Sequence, residues 1–241
     1  SINRFAGADI SVMTGFKEWF GHGQIYRLET TFRCPQEICD VSSRFVSKNP
    51  AQLEKSISSV TPAIGSAIQA FQVGNRNELQ GAVAQYLADL YQSLVDGVVP
   101  AGRGGRVTVF ILGRYKNDRQ YVPEGWHDWF GDRIELKFKT IHTSKGDEAD
   151  YVILPGLVAR GFPNVKSDDP VLGLVMPEGD TYQHSEERRL FYVALTRARR
   201  SVAMFTVMGK SSPFLDEMIK EGAITLTNIQ GEQIQEDRCP N

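Results

Sequence analysis

One short stretch holds most of the side chains that could do chemistry: Lys139-Thr-Ile-His-Thr-Ser-Lys-Gly-Asp-Glu-Ala-Asp150. His142 can give or take a proton, Thr143 and Ser144 carry hydroxyls, and Asp147 and Glu148 can accept from hydroxyls or hold a cation. Two arginine-bearing stretches keep it company, Thr31-Phe-Arg33 upstream and Glu186-Glu-Arg-Arg…Thr196-Arg-Ala198 downstream. Arginine offers a permanent charge in a planar fork, suited to phosphate or carboxylate. Other candidates carry less. Asp147-Glu-Ala-Asp150 could hold Mg²⁺ only if an apolar strand ran into it, and here the apolar run Tyr151-Val-Ile-Leu154 follows instead. No metal is assigned there. Pro100-Ala-Gly-Arg-Gly-Gly105 lacks the Gly-Lys-Ser/Thr ending of a phosphate loop and precedes a strand rather than following one. Cys34 and Cys39 fall on or beside one helix, and Cys239-Pro-Asn241 could open a zinc knuckle.

The elements that must position these residues follow from periodicity. A helix capped by Asp9 is expected to run to about residue 20, where Gly21-His-Gly23 stops it. Alternation predicts a strand over 25–30. Pro35 opens a helix to about 48 with Ile38, Val41, Phe45 and Val46 inward. Phe32 and Arg33 then lie at a strand-to-helix junction, the carboxyl end of a strand, where open α/β sheets bind ligands. A strand over 67–73 precedes a helix over 76–96, capped by Asn75 and buried through Leu79, Val83, Tyr86, Leu87, Leu90 and Leu94. The unbroken apolar run Val107–Leu112 reads as a strand buried on both faces, ending at Gly113-Arg114. A short helix over 117–130 and a strand over 135–141 lead into the polar loop 142–150, and a strand over 151–155 leaves it. After a long connection, a helix is expected over 186–200, with Leu190, Phe191, Ala194, Leu195 and Ala198 as its buried stripe. At about 100° per residue, Arg197 falls about 20° outside that stripe, at the core boundary, while Arg188, Tyr192 and Arg199 face away. A strand over 201–207, a helix over 213–221 and a polar, weakly structured tail complete the chain. Alternating strands and helices argue an α/β fold: a mainly parallel sheet with helices on both faces, three layers in all.

Taken together, the motifs resemble superfamily 1 helicases of the UvrD/Rep type. Leu28-Glu-Thr-Thr-Phe-Arg-Cys-Pro35 is similar to that family's motif IV, Thr140-Ile-His-Thr-Ser-Lys-Gly-Asp-Glu148 to motif V, Glu186-Glu-Arg-Arg-Leu-Phe-Tyr-Val-Ala-Leu-Thr-Arg-Ala198 to motif VI, and Ser1-Ile-Asn-Arg-Phe-Ala-Gly-Ala8 to the end of motif III. All stand in family order. The resemblance implies a RecA-like (P-loop NTPase-type) second motor domain that closes over ATP. It makes Arg33 and Arg197 catalytic, stabilising charge on the transferring γ-phosphoryl group. It places Phe32 on the adenine, Glu148 on the ribose hydroxyls and Gly146 in the ATP-binding loop. It assigns Phe5, Arg114, Thr140 and His142 to single-stranded DNA, with Phe5 stacking on a base. Asn3 and Ala6 depart from the motif III pattern, removing one stacking ring and one charge. The link from the 107–112 strand to motif V is too short for the large accessory domain that UvrD inserts there.

The chain has no Gly-x-x-x-x-Gly-Lys-Ser/Thr and no strand ending in Asp-Glu. The resemblance therefore implies that the ligands of Mg²⁺ lie in a first motor domain upstream of Ser1, and that this piece alone is inactive. The expected organisation is a crossover segment over 1–20, the second RecA-like domain over 21–222 and a tail over 223–241. Expected partners are ATP with Mg²⁺, single-stranded DNA and that first motor domain. Movement would be 3′ to 5′, as in the family. Two other readings compete with this one: a non-catalytic nucleotide- or DNA-binding module with a degenerate helicase fold, and the motor part of a helicase–nuclease. No Asp…Glu-x-Lys arrangement follows motif VI, which counts against the latter. With 241 residues, 41% hydrophobic and 23% charged, the composition is that of a globular domain. The net charge of −2 gives no global basic signal, so any nucleic-acid surface must be local. No apolar run is long enough to span a bilayer. Three cysteines and the lack of a signal peptide point to the cytoplasm.

Overall fold

The computed structural model of the chain describes residues 15–24, 26, 28–50, 52, 57–164 and 182–234. Its centre is a six-stranded sheet in which every pairing is parallel. The strands are β3 (Ile68–Val73), β4 (Val107–Gly113), β5 (Ile134–Thr140), β6 (Ala149–Leu154), β7 (Ala198–Val207) and β8 (Leu226–Thr227), in the order β5-β4-β6-β7-β3-β8. Two further strands, β1 (Thr30–Thr31) and β2 (Ser58–Ser59), pair only with each other. The helices are α1 (Phe16–Phe20), α2 (Gln36–Val46), α3 (Leu79–Val95), α4 (Trp126–Phe130), α5 (Ser185–Leu195) and α6 (Pro213–Lys220).

A strand turns alternate side chains to opposite faces, and the core divides accordingly. Phe110, Leu112, Val152, Leu154, Val202 and Met204 pack on α2, α5 and α6. Val109, Ile111, Tyr151, Ile153, Ala203 and Phe205 pack on α3 and α4. The apolar runs of the central strands are those of a sheet covered on both faces, so the three-layer α/β expectation holds.

Local signals placed most elements. Asn75 caps the turn that opens α3 by accepting from the Asn77 amide, and the expected inward residues of α2 and α3 are all buried. Four boundaries differ. Of the strand expected over 25–30, the described residues show only β1, with Tyr26 and Leu28 largely exposed. The helix expected over 117–130 breaks into a 3₁₀ turn, Lys116–Tyr121, and α4. Val122 is extended there (ψ 123°) because Pro123 disfavours a helical residue before it. The tail joins the fold: β8 lies beside β3, with Ile224 and Leu226 buried.

The largest difference is α5, which stops at Leu195 rather than 200. Ala198 already pairs with Ala149, and the Ala149 amide donates to the Arg197 carbonyl at 3.0 Å. Sheet pairing outweighs the helix preference of Ala198-Arg199-Arg200. Arg197 thus sits in a tight helix-to-strand turn, not on a helix face. Arg188 does not face solvent either. It is buried against Phe45 and Phe214 and forks onto Glu217 of α6 at 2.5 and 2.9 Å. The expected helix at 9–20 is described only as α1, and Phe5 and Cys239 lie outside the described residues.

Candidate nucleotide and nucleic-acid site

Parallel strands give the sheet two distinct rims. At the amino ends of β6 and β7, Glu148 is the meeting point. Its Oε2 accepts from Arg33 Nε at 3.1 Å, and its Oε1 faces Arg199 Nη1 at 3.3 Å. Arg33 reaches this place because Cys34 beside it is buried in the core, its carbonyl accepting from Ser59 Oγ at 2.6 Å. Arg197 is held by its own turn: Nε donates to the Val193 carbonyl at 3.0 Å and Nη1 to the Asp147 carbonyl at 3.1 Å. Burial first, and the like charge of Arg33 second, pull the Arg197 pKa below its ordinary value. Arginine keeps its proton regardless, so the shift describes a cation short of solvent and of counter-charge, one suited to an incoming anion. Phe32, beside Arg33, is 79% exposed, an aromatic face without a cover among the described residues. Gly146 turns the loop before Glu148 at φ +95°, a region that disfavours side chains.

The expectation that Arg33 works at the carboxyl end of a sheet strand needs correcting. Arg33 does follow β1, but β1 is outside the main sheet. Arg33, Glu148 and Arg197 gather instead at the amino ends of β6 and β7.

Every acid of the Asp147–Asp150 tetrapeptide is held by cations. Asp147 pairs with Lys139 at 2.5 Å. Asp150 is buried, faces Arg199 at 3.1 Å and Arg200 at 3.4 Å, and accepts from the Thr108 amide and hydroxyl. Among the described residues no group of three or more metal-ligating side chains is arranged for an ion. Cys34 and Cys39 are buried thiols, 3.5 Å apart, packed in the core.

The carboxyl rim carries Arg114, Thr140 and His142, at the ends of β4 and β5, where Gly113 and Thr140 are register partners. Arg114 forks onto Glu187 of α5 at 2.7 to 3.1 Å, and Glu187 also accepts from the Asn164 amide. The Glu187 side chain is only 2% exposed. Thr140 Oγ1 accepts from the Thr143 amide and starts a 3₁₀ turn, His142–Ser144. His142 is half-buried. Burial, then the charge of Arg114, hold its pKa below the usual imidazole value, so it is neutral at neutral pH.

Residues 141–148 join the rims. They leave the carboxyl end of β5 and enter the amino end of β6, crossing the sheet where a parallel connection would ordinarily place a helix. Ile141 and Ser144 are buried, and Lys139 ties the far end of the crossing through Asp147 while lying 5.0 Å above the Phe110 ring. The motifs had pointed to both ends of this segment. They had not pointed to Arg199, to Glu187 as the partner of Arg114, or to Asp150 as a buried hub. The paired Arg199-Arg200 at the start of an otherwise apolar strand is the one signal for the first.

The geometry is that of a parallel α/β domain with an arginine-rich rim at one end of the sheet and a polar rim at the other. Residues 127–208 match the family of UvrD-like helicase C-terminal domains. It is 33% identical over 219 residues to DNA helicase IV of Escherichia coli K12, a match over 90% of this chain and 29% of that protein. A probable DNA helicase of Mycoplasma pneumoniae is 36% identical over 94 residues, 36% of this chain and 16% of that protein. The chain therefore spans less than a third of the curated relatives it matches. The C-terminal domain of a possible DNA helicase from Lactobacillus plantarum WCFS1 superimposes with a TM-score of 0.48 at 16% identity, over 81% of this chain and 98% of that one. No helix among the described residues is long and apolar enough to cross a membrane.

Proposed function

We propose that this chain is the second motor domain of an ATP-dependent DNA helicase moving 3′ to 5′, and that its two rims divide the work. The amino rim faces ATP. Arg33 and Arg197 stabilise the charge that spreads over the γ-phosphoryl oxygens in the transition state. Glu148 accepts from the ribose hydroxyls, Phe32 stacks on the adenine, and Gly146 lets the loop approach. The carboxyl rim, with Thr140, His142 and Arg114, lies along single-stranded DNA, and Phe5 adds a stacking ring. Mg²⁺ arrives with ATP and is held by a first motor domain, since the acids of the Asp147–Asp150 stretch are already engaged by lysine and arginine.

The observation that carries this reading is the convergence of Arg33 and Arg197 on the loop that bears Glu148, from motifs far apart in sequence. Two arginines closer together than their charges favour, one of them short of solvent, make a ready seat for a polyanion. The crossing segment 141–148 supports coupling, because a shift at His142 has few residues to travel before it reaches Glu148.

The test is ATP turnover of the full-length protein with Arg197→Ala. DNA-stimulated turnover is expected to fall on the order of 10³-fold, with ATP binding by equilibrium titration much less affected. Turnover within a few-fold of the parent would sink the assignment.

A further inference from the structure

Glu148 holds one arginine on each oxygen, and the two differ in freedom. Arg33 reaches Oε2 through Nε alone and is about a third exposed. Arg199 reaches Oε1 through Nη1, while its Nη2 lies 3.1 Å from Asp150 Oδ1 and 3.3 Å from Thr108 Oγ1. Asp150 is buried and further fixed by Arg200 and by the Thr108 amide. Arg199 is therefore anchored to the ends of three adjacent strands and cannot follow a ligand. Arg33 can.

If Arg33 turns to a phosphate, Glu148 loses one of its two cations. A half-exposed carboxylate with a free side chain would then sample several rotamers and aim poorly. We propose that Arg199 is the positioning residue that keeps Glu148 directed at the ribose hydroxyls once Arg33 has left it for phosphate. The inference rests on the ATP-facing role of the amino rim. It makes ribose recognition depend on a residue that touches neither sugar nor phosphate. Removing Arg199 leaves Asp150 with Arg200 and Thr108 as partners, so the buried acid is not stranded.

The experiment compares ATP with 2′,3′-dideoxy-ATP as substrates of the full-length protein, in the parent, Glu148→Gln, Arg199→Met and Arg199→Lys forms. The parent is expected to show a lower KM for ATP than for the dideoxy nucleotide, and Glu148→Gln to erase that difference. Arg199→Met is expected to raise the KM for ATP about tenfold, the scale of one charge-assisted hydrogen bond, while kcat and the dideoxy KM stay within about twofold of the parent. Arg199→Lys keeps a cation beside Asp150 but cannot bridge to Glu148, so it should melt like the parent and still lose ribose discrimination. An equal rise in both KM values, or no change in either, overturns the proposal while leaving the role of Glu148 intact. If Glu148→Gln itself preserves the difference between nucleotides, the ribose role of Glu148 falls, and that of Arg199 with it.

Discussion

Glu187 shows how far a side chain's surroundings decide its meaning. It stands at helical spacing from the apolar stripe Leu190, Phe191, Ala194 and Leu195, and its buried carboxylate takes three contacts from Arg114 and one from the Asn164 amide. A carboxylate in such a place is tolerated only while paired. Glu187→Ala would leave the Arg114 charge facing an apolar void, and a loss of about 3 kcal/mol is expected in denaturant titration. The arginine pair at the other rim reads differently. Arg33 was recognisable from the Thr-Phe-Arg-Cys-Pro motif, but its contact with Glu148 spans 115 residues of sequence and follows from no local pattern. Arg199 was missed for the same reason. A helix extended to residue 200 turns it to solvent, whereas the strand that forms turns it toward Glu148.

At the scale of elements, α5 is held by its neighbours more than by its own propensity. Phe191 packs edge-on against Phe45 of α2 at 5.1 Å and lies 5.8 Å from Phe214 of α6. The Glu217 carboxylate of α6 holds Arg188 of α5 and Lys48, two residues beyond the end of α2. Burial raises the Glu217 pKa, but the hydrogen bonds from Arg188 and Lys48 together outweigh it and the net shift is downward. A carboxyl depressed in the folded state adds stability that is fully present above its unfolded pKa. That stability is lost as pH falls through the folded value. Stability measured by urea titration is therefore expected to drop below about pH 4.5, and Glu217→Gln should flatten that dependence while costing about 2 kcal/mol at neutral pH. An unchanged acid limb would show that the joint does not depend on this charge. The stripe Leu190, Phe191, Ala194 and Leu195 was legible because burial repeats with helical period. The end of α5 was not, because it is decided by Ala149, a residue distant in sequence with which Ala198 pairs.

Among the described residues the fold is a six-stranded sheet sealed on both faces, with β8 returning to the β3 edge and the β1–β2 pair outside it. Two cores that share every central strand should melt together. The isolated chain is expected to unfold in a single transition, coincident by near- and far-ultraviolet circular dichroism. It is also expected to hydrolyse ATP no faster than buffer, because it has no Gly-x-x-x-x-Gly-Lys-Ser/Thr to cradle phosphates. Measurable turnover would mean that the amino rim is more than one wall of a cleft. The amino-acid sequence by itself determined the layer architecture and the inward faces of α2, α3 and α5, and its motifs brought Arg33, Glu148 and Arg197 forward as candidates. These rest on periods of two and 3.6 residues and on short motifs, which are local. Only the tertiary structure decided which end of the sheet the set occupies and which cations hold Glu148. It also decided that residues 141–148 run from one rim to the other. Strand order and register create those relations, and they arise from pairings between residues that no local pattern connects.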